Sequence, residues 1–159
     1  MVHINIVCVG KIKEKFFRDA IEEYSKRLSR FCALTITEVA DEKIPEKSNE
    51  NIEEVIKQKE GINILNHIKK DSYVIALELK GTELDSVQFS QEIEKISNLN
   101  SNITFVIGGS LGLSKDVLNR SNKQVCFSKM TFPHQLIRIF LVEQIYRAFK
   151  IANNETYHK

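Results

Sequence analysis

Apolar and polar residues alternate along this chain in a way that divides it into short strands and amphipathic helices in regular succession. From His3 to Val9 the residues alternate or run apolar and stop at Gly10, which predicts a first strand. Ile12, Phe16, Ala20, Tyr24 and Leu28 recur at close to helical spacing, with Phe17 and Ile21 widening the stripe. They predict a helix whose opposite face is basic. Cys32 to Val39, rich in β-branched residues, predicts a second strand, and Asp41 to Asn49, with its charges and Pro45, a surface loop. Asn51 with Glu54 reads as a capping box opening a helix through Ile68, in which Gly61 predicts a break or kink. Tyr73 to Leu79 is a third strand, apolar enough in its first half to be covered on both faces, ending at Lys80-Gly81.

Asp85 with Gln88 starts a helix whose Phe89, Ile93, Ile96 and Leu99 face inward. The apolar run Ile103 to Ile107 then breaks into Gly108-Gly109-Ser110-Leu111-Gly112. A strand that stops at paired glycines brings bare backbone up to something. Ser114 caps a short helix through Arg120, and Val125 to Phe127 is the last strand. Pro133 suits a first helical turn, and from His134 to Ala152 the helix is apolar on nearly every side. A terminal helix buries one face against its own domain, so this one predicts a partner, of which an identical subunit is the simplest; the alternative is a helix sunk in its own core. The whole is one α/β domain over residues 1–159, with a Rossmann-like, mainly parallel sheet flanked by helices.

Composition narrows the class. With 159 residues, 42% apolar and 28% charged, the chain can bury a genuine core. No apolar run approaches the length of a membrane span and no signal-type segment opens the sequence, so a cytoplasmic protein without membrane contact is expected. Cys8, Cys32 and Cys126 are far apart in apolar surroundings and predict reduced core thiols. The four histidines fall at no metal-ligand spacing, so no metal is expected. The net charge of +2, from 23 basic and 21 acidic residues, does not declare a nucleic-acid binder. Lys11, Lys13, Lys15, Arg18, Lys26, Arg27 and Arg30 make the first third locally basic, as a solvated helix face or an RNA contact.

Two irregular loops, one after Ile107 and one after Phe127, each leave the end of a predicted strand, where an open α/β sheet holds ligands. The glycines match neither the dinucleotide fingerprint nor the phosphate loop. Spacing alone leaves open a tight turn with no ligand, or a nucleotide-binding α/β protein.

The residues themselves say more. Ile6-Val7-Cys8-Val9-Gly10-Lys11, Ile107-Gly108-Gly109-Ser110-Leu111-Gly112, Phe127-Ser128-Lys129-Met130-Thr131-Phe132-Pro133-His134, Tyr146-Arg147-Ala148 and Tyr157-His158-Lys159 resemble the ribosomal RNA large subunit methyltransferase H family, over essentially the whole chain. The resemblance implies a single-domain SPOUT fold with a C-terminal deep trefoil knot, which pattern reading alone would exclude. It also implies a homodimer, built through the C-terminal helix, and S-adenosylmethionine as cofactor. The implied reaction is methylation of N3 of a pseudouridine in the subunit-interface stem-loop of 23S rRNA, on the assembled ribosome.

Carried over by position, the cofactor residues are Leu77, Gly108, Phe127, Ser128, Lys129, Met130, Thr131 and Phe132. For Phe127 and Phe132 the competing reading is core packing. His158 is the implied base or anion stabiliser and Tyr157 a contact to the acceptor base. Lys159, Arg138 and Arg147 are the implied substrate contacts, the two arginines alternatively pairing with Glu143. Lys159 stands where some relatives carry arginine, keeping charge but losing bidentate geometry. A SPOUT methyltransferase for another RNA such as tRNA, and a catalytically silent ribosome-associated factor, are the alternatives.

Overall fold

The computed structural model describes residues 1–159. Five strands, β1 (Val2–Val9), β2 (Cys32–Val39), β3 (Tyr73–Glu83), β4 (Asn102–Ile107) and β5 (Lys123–Cys126), form one sheet. Their order is β2-β1-β4-β3-β5, and every neighbouring pair is parallel. Between and after them run α1 (Lys15–Leu28), α2 (Glu50–Asn66), α3 (Ser86–Leu99), α4 (Lys115–Arg120) and α5 (His134–Ala152).

The two-residue period of the strands sorts the core into two layers. Ile4, Ile6 and Cys8 join Ile103, Phe105 and Ile107 against α1, α3 and α5, which contribute Leu28, Ile93 and Leu141. Val7 and Val9 face the other way and meet Val74, Val106, Ile64 of α2 and Val117 of α4. A sheet covered on both faces explains why its strands are nearly continuous apolar runs. Leu141 is fully enclosed, and truncation to alanine there costs about 2–5 kcal/mol.

Local signals set most element ends. Asp85 accepts from Gln88 N at 2.7 Å while Gln88 Oε1 accepts from Asp85 N at 2.9 Å, the reciprocal box expected for α3. Ser114 caps α4. The cap of α2 is Asn49 rather than Asn51, accepting from Ile52 N at 2.9 Å; Glu54 turns instead to Lys57. Nor does α2 break at Gly61. A side chain there would fall 2.3 Å from Ser114 Oγ, so the glycine lets α2 lie against the start of α4.

The last helix departs from expectation in one respect. α1 and α3 flank α5 on either side, seen in the Tyr24–Tyr146 ring contact and in the bond from Ser90 Oγ to the Ala148 carbonyl at 2.7 Å. Much of its apolar circumference is therefore used within the chain. Phe140, 37% exposed, is the large apolar side chain it leaves to solvent. All three cysteines are free and buried, and burial pushes the Cys8 thiol up to about 11 and Cys32 to about 12, so neither is a nucleophile near neutrality. No helix is long and apolar enough to cross a membrane.

Candidate active site

Three loops meet at the carboxyl ends of β3, β4 and β5 around a cleft of about 820 Å³. The first is made by an irregularity in β3. Val125 stands opposite both Leu77 and Thr82, so residues 78–81 arch out of the ladder, and Glu78, Leu79 and Lys80 reach the rim. Gly81 permits the arch, because a Cβ there would lie 2.7 Å from the backbone of Gln124 and Val125.

The second loop is the glycine turn. Gly112 takes φ +87, a left-handed conformation that favours glycine, and its N–H donates to the Gly109 carbonyl at 3.1 Å. Gly108 is needed for a different reason. A Cβ there would stand 3.0 Å from both the Gly112 carbonyl carbon and Leu113 Cδ2, so the crowding comes from the turn itself. The third loop, Phe127 to Pro133, closes the far wall and feeds into α5, whose His134 and Ile137 also line the cleft.

Of the eight residues expected at a cofactor, Leu77, Gly108, Phe127, Ser128, Met130, Thr131 and Phe132 line this one cleft. Lys129 does not. Its side chain, 86% exposed, points away to within 3.7 Å of Glu83. Phe127 packs edge-on against Phe89 and so serves core and cleft together, whereas Phe132 packs edge-on against the partly exposed Phe140.

His134 was unassigned from sequence, yet its imidazole lines the cleft. Burial, aided by the Arg138 charge, holds its pKa below the ordinary histidine value, with Asp41 opposing. Glu60 was unassigned as well. It lies behind the glycine turn, where a Cβ on Gly109 would come 3.3 Å from Oε1, and its Oε2 accepts from Glu42 N at 3.0 Å. Burial raises its pKa, the Glu42 N–H opposing and the Asp41 and Glu42 charges adding to the rise. Glu60 falls at no motif spacing, whereas His134 closes the Phe127 to His134 stretch that carries the resemblance, the signal that could have found it.

The expected substrate residues lie elsewhere. Arg138 is 0% exposed; Nη1 donates to Glu38 Oε2 at 2.7 Å, Nη2 to the Gly10 carbonyl at 3.1 Å, and Nε has no partner. A guanidinium so enclosed grips no phosphate, and its ion-pair partner is Glu38 rather than Glu143. Arg147 donates through Nε and Nη2 to Glu143 Oε1 at 3.2 and 2.8 Å, the i,i+4 pairing that sequence allowed as its alternative.

The C-terminal segment folds back onto this pair. Tyr157 Oη donates to Glu143 Oε1 at 3.1 Å, its ring stands edge-on to Tyr146, and the Arg147 guanidinium lies 4.7 Å from its centre. Burial, then the bond to Glu143, pushes the Tyr157 phenol up to about 12, so it keeps its proton at neutral pH. His158 Nδ1 lies 3.2 Å from Arg147 Nη1. Ile137 and Arg147 are separated by ~15 Å along the helix axis, so Tyr157 and His158 are anchored well away from the cleft of their own chain. Lys159 is exposed beyond them.

A parallel, two-sided α/β sheet with a loop-built cleft at its strand ends is the architecture in which open α/β proteins hold small ligands. The family model described as predicted SPOUT methyltransferase matches residues 2–158. The ribosomal RNA large subunit methyltransferase H of Clostridium beijerinckii is 58% identical over 159 residues, covering 99% of this chain and 100% of that protein. The protein of the same name from Clostridium tetani is 58% identical with the same coverage. Ribosomal RNA large subunit methyltransferase H 1 of Clostridium perfringens is 57% identical, again with that coverage. A solved structure, that of a probable methylase family protein from Haemophilus influenzae Rd KW20, superposes with a TM-score of 0.55 at 16% identity, covering 99% of this chain and 71% of the other; it speaks for the fold alone. The chain belongs to the SPOUT methyltransferase family, as a member of its ribosomal RNA large subunit methyltransferase H group.

Proposed function

We propose that this chain is an S-adenosylmethionine-dependent methyltransferase of large-subunit ribosomal RNA, acting in the cytoplasm on N3 of a pseudouridine in the subunit-interface stem-loop of 23S rRNA. The observation that carries the reading is the meeting of residues 77–80, 107–113, 125–128 and 130–134 in one cleft. The names of the full-length relatives supply the substrate class.

The lining suits the cofactor. Leu77, Leu113, Phe127 and Ile137 make an apolar slot of the size small ligands occupy, and the glycine turn brings main chain to its edge. Glu78 adds a carboxylate at the rim, suited to a cationic ligand. When bound, S-adenosylmethionine supplies an electrophilic methyl group.

The chain's own residues then have three tasks: to fix the acceptor base in line, to exclude water, and to manage the proton leaving its imide nitrogen. The 127–132 loop and the arch at 78–81 flank the cleft, where a bound acceptor would complete the exclusion of water. For the third task the imide proton leaves to water, and His158 supplies a donor for the negative charge it leaves behind. Arginine only donates, so Nδ1 accepts from Arg147 and the ring proton sits on Nε2, directed to stabilise negative charge on an imide oxygen. Tyr157, holding its proton, positions this ring through Glu143 and Arg147.

A homodimer completes the arrangement. The tail stands ~15 Å along α5 from its own cleft. Phe140 and Met130 offer exposed apolar surface beside the cleft, where a second copy can bring its tail to the site. The same reading includes the deep trefoil knot, which the family resemblance implies.

The test is methyl transfer from labelled S-adenosylmethionine to ribosomes lacking the modification, followed by mapping of the methylated nucleotide. Label at one pseudouridine of 23S rRNA is expected. Label in tRNA would move the enzyme to another substrate, and no transfer despite ribosome binding would mark a silent factor.

A further inference from the structure

Phe16, in the first turn of α1, is 64% exposed, an aromatic ring left in water. It is held rather than loose, with its ring centre 4.2 Å from that of Phe17. Around it in sequence stand Lys11, Lys13, Lys15 and Arg18, all exposed, against Glu14 and Asp19. Asp19 is engaged with Lys15, whereas Lys11 and Lys13 take part in none of the chain's ion pairs.

The far end of the same helix looks equally basic in sequence and is not. Lys26 pairs with Glu22, Arg27 with Glu23 and Arg30 with Glu155. The unneutralised charge of this region is therefore gathered at the start of α1, beside the exposed ring.

The segment that carries it is fixed by its own backbone. Gly10 N donates to the Val39 carbonyl at 2.8 Å, Ile12 N to Glu38 Oε2 at 3.0 Å and Lys13 N to Gln135 Oε1 at 3.3 Å. Arg18 Nη1 returns to the Lys13 carbonyl at 3.1 Å. The segment also abuts the cleft, since a Cβ on Gly10 would lie 3.5 Å from Nε2 of His134, which lines it. Phe16 follows Lys13 by three residues, a reach of at most ~10 Å.

Resting on the methyltransferase reading above, we infer that Phe16 with Lys11 and Lys13 is a docking platform for unpaired RNA beside the acceptor nucleotide, the ring stacking on a base and the lysines meeting its phosphates. Sequence-specific RNA recognition targets unstacked bases laid on aromatic side chains, and single-strand sites combine such rings with cations. A polyanion answers both features at once. A second copy seated here would have to desolvate the lysines against a surface that answers their charge, whereas the exposed apolar side chains Phe140 and Met130 lie at α5 and the third loop.

The experiment compares wild-type protein with Phe16→Ala, Phe16→Trp and the double variant Lys11→Gln/Lys13→Gln. Each is measured for S-adenosylmethionine affinity, subunit mass, co-sedimentation with intact ribosomes across a salt series, and methyl-transfer kinetics. Phe16→Ala is expected to raise ribosome Kd and KM about tenfold with kcat, cofactor affinity and mass unchanged, and Phe16→Trp to restore binding. The double lysine variant is expected to flatten the salt dependence by about two charges. Ribosome binding unchanged in Phe16→Ala, or a change in its subunit mass, overturns the platform. Wild-type protein that binds ribosomes but methylates nothing sinks the methyltransferase reading, while the binding comparison still decides the platform. Wild-type protein that does not bind ribosomes overturns the platform outright.

Discussion

Arg138 Nη1 lies 2.7 Å from Glu38 Oε2, joining the buried side of α5 to the end of β2 across 100 residues of sequence. The same carboxylate oxygen receives the Ile12 N–H, so one side chain secures both the last helix and the segment that follows β1. Glu38→Ala would leave a fully enclosed guanidinium without its counter-charge. A loss of about 3 kcal/mol is expected by urea unfolding, toward the low end for a buried pair because Glu38 is partly exposed. Replacing both partners, Glu38→Leu with Arg138→Met, should recover most of it, and a double variant no better than the single one would assign the loss to packing.

Gly108→Ala tests the glycine turn. Its methyl group would press on Gly112 and Leu113 at 3.0 Å and displace the turn by a few tenths of an ångström. Calorimetry should show S-adenosylmethionine binding weakened about tenfold, or ~1.4 kcal/mol, with the fold retained. Undiminished affinity would show that the turn does not shape the cofactor site.

Removal of Tyr157, His158 and Lys159 should leave cofactor affinity unchanged, because these residues are anchored to Glu143 and Arg147 rather than to the cleft. Methyl transfer should fall by two or more orders of magnitude, roughly the contribution of a positioned donor to a developing anion. Equal turnover in the shortened protein would make the tail inert.

Glu60 gives a pH dependence of definite sign. Burial raises its folded pKa above the ordinary 4.5, so the folded state binds this proton more tightly than the unfolded chain does. Stability from this group is full below about 4.5 and is lost as pH rises through the higher folded value. Glu60→Gln should therefore unfold at a higher temperature than wild type at neutral pH, the gap closing toward acid. A variant less stable than wild type at neutral pH would show that the ionised carboxylate supports the turn.

These residues mark where the sequence was readable. The Asp85–Gln88 box and the Ser114 cap were legible because each closes on itself within three residues. The seven cleft residues came as a set from the family resemblance, and the pattern alone placed only two loops at strand ends of a parallel sheet, which lie on one side. Arg138 was expected at the substrate or beside Glu143 because its partner Glu38 is 100 residues away in sequence, whereas Lys26 and Arg27, left open between a solvated face and an RNA contact, pair with acids one helical turn earlier. Part of the apolar girth of α5 is covered by α1 and α3, a layer order that periodicity does not encode, while Phe140 stays exposed.

Backbone hydrogen exchange, followed by mass spectrometry with and without S-adenosylmethionine, reads the convergence of the three loops directly. Saturating cofactor should slow exchange together in residues 78–80, 108–113 and 128–132 while β1 and β2 stay unchanged. Slowing in only one of those segments, or in none while ATP or NAD produces it, would contradict a shared methyl-donor cleft.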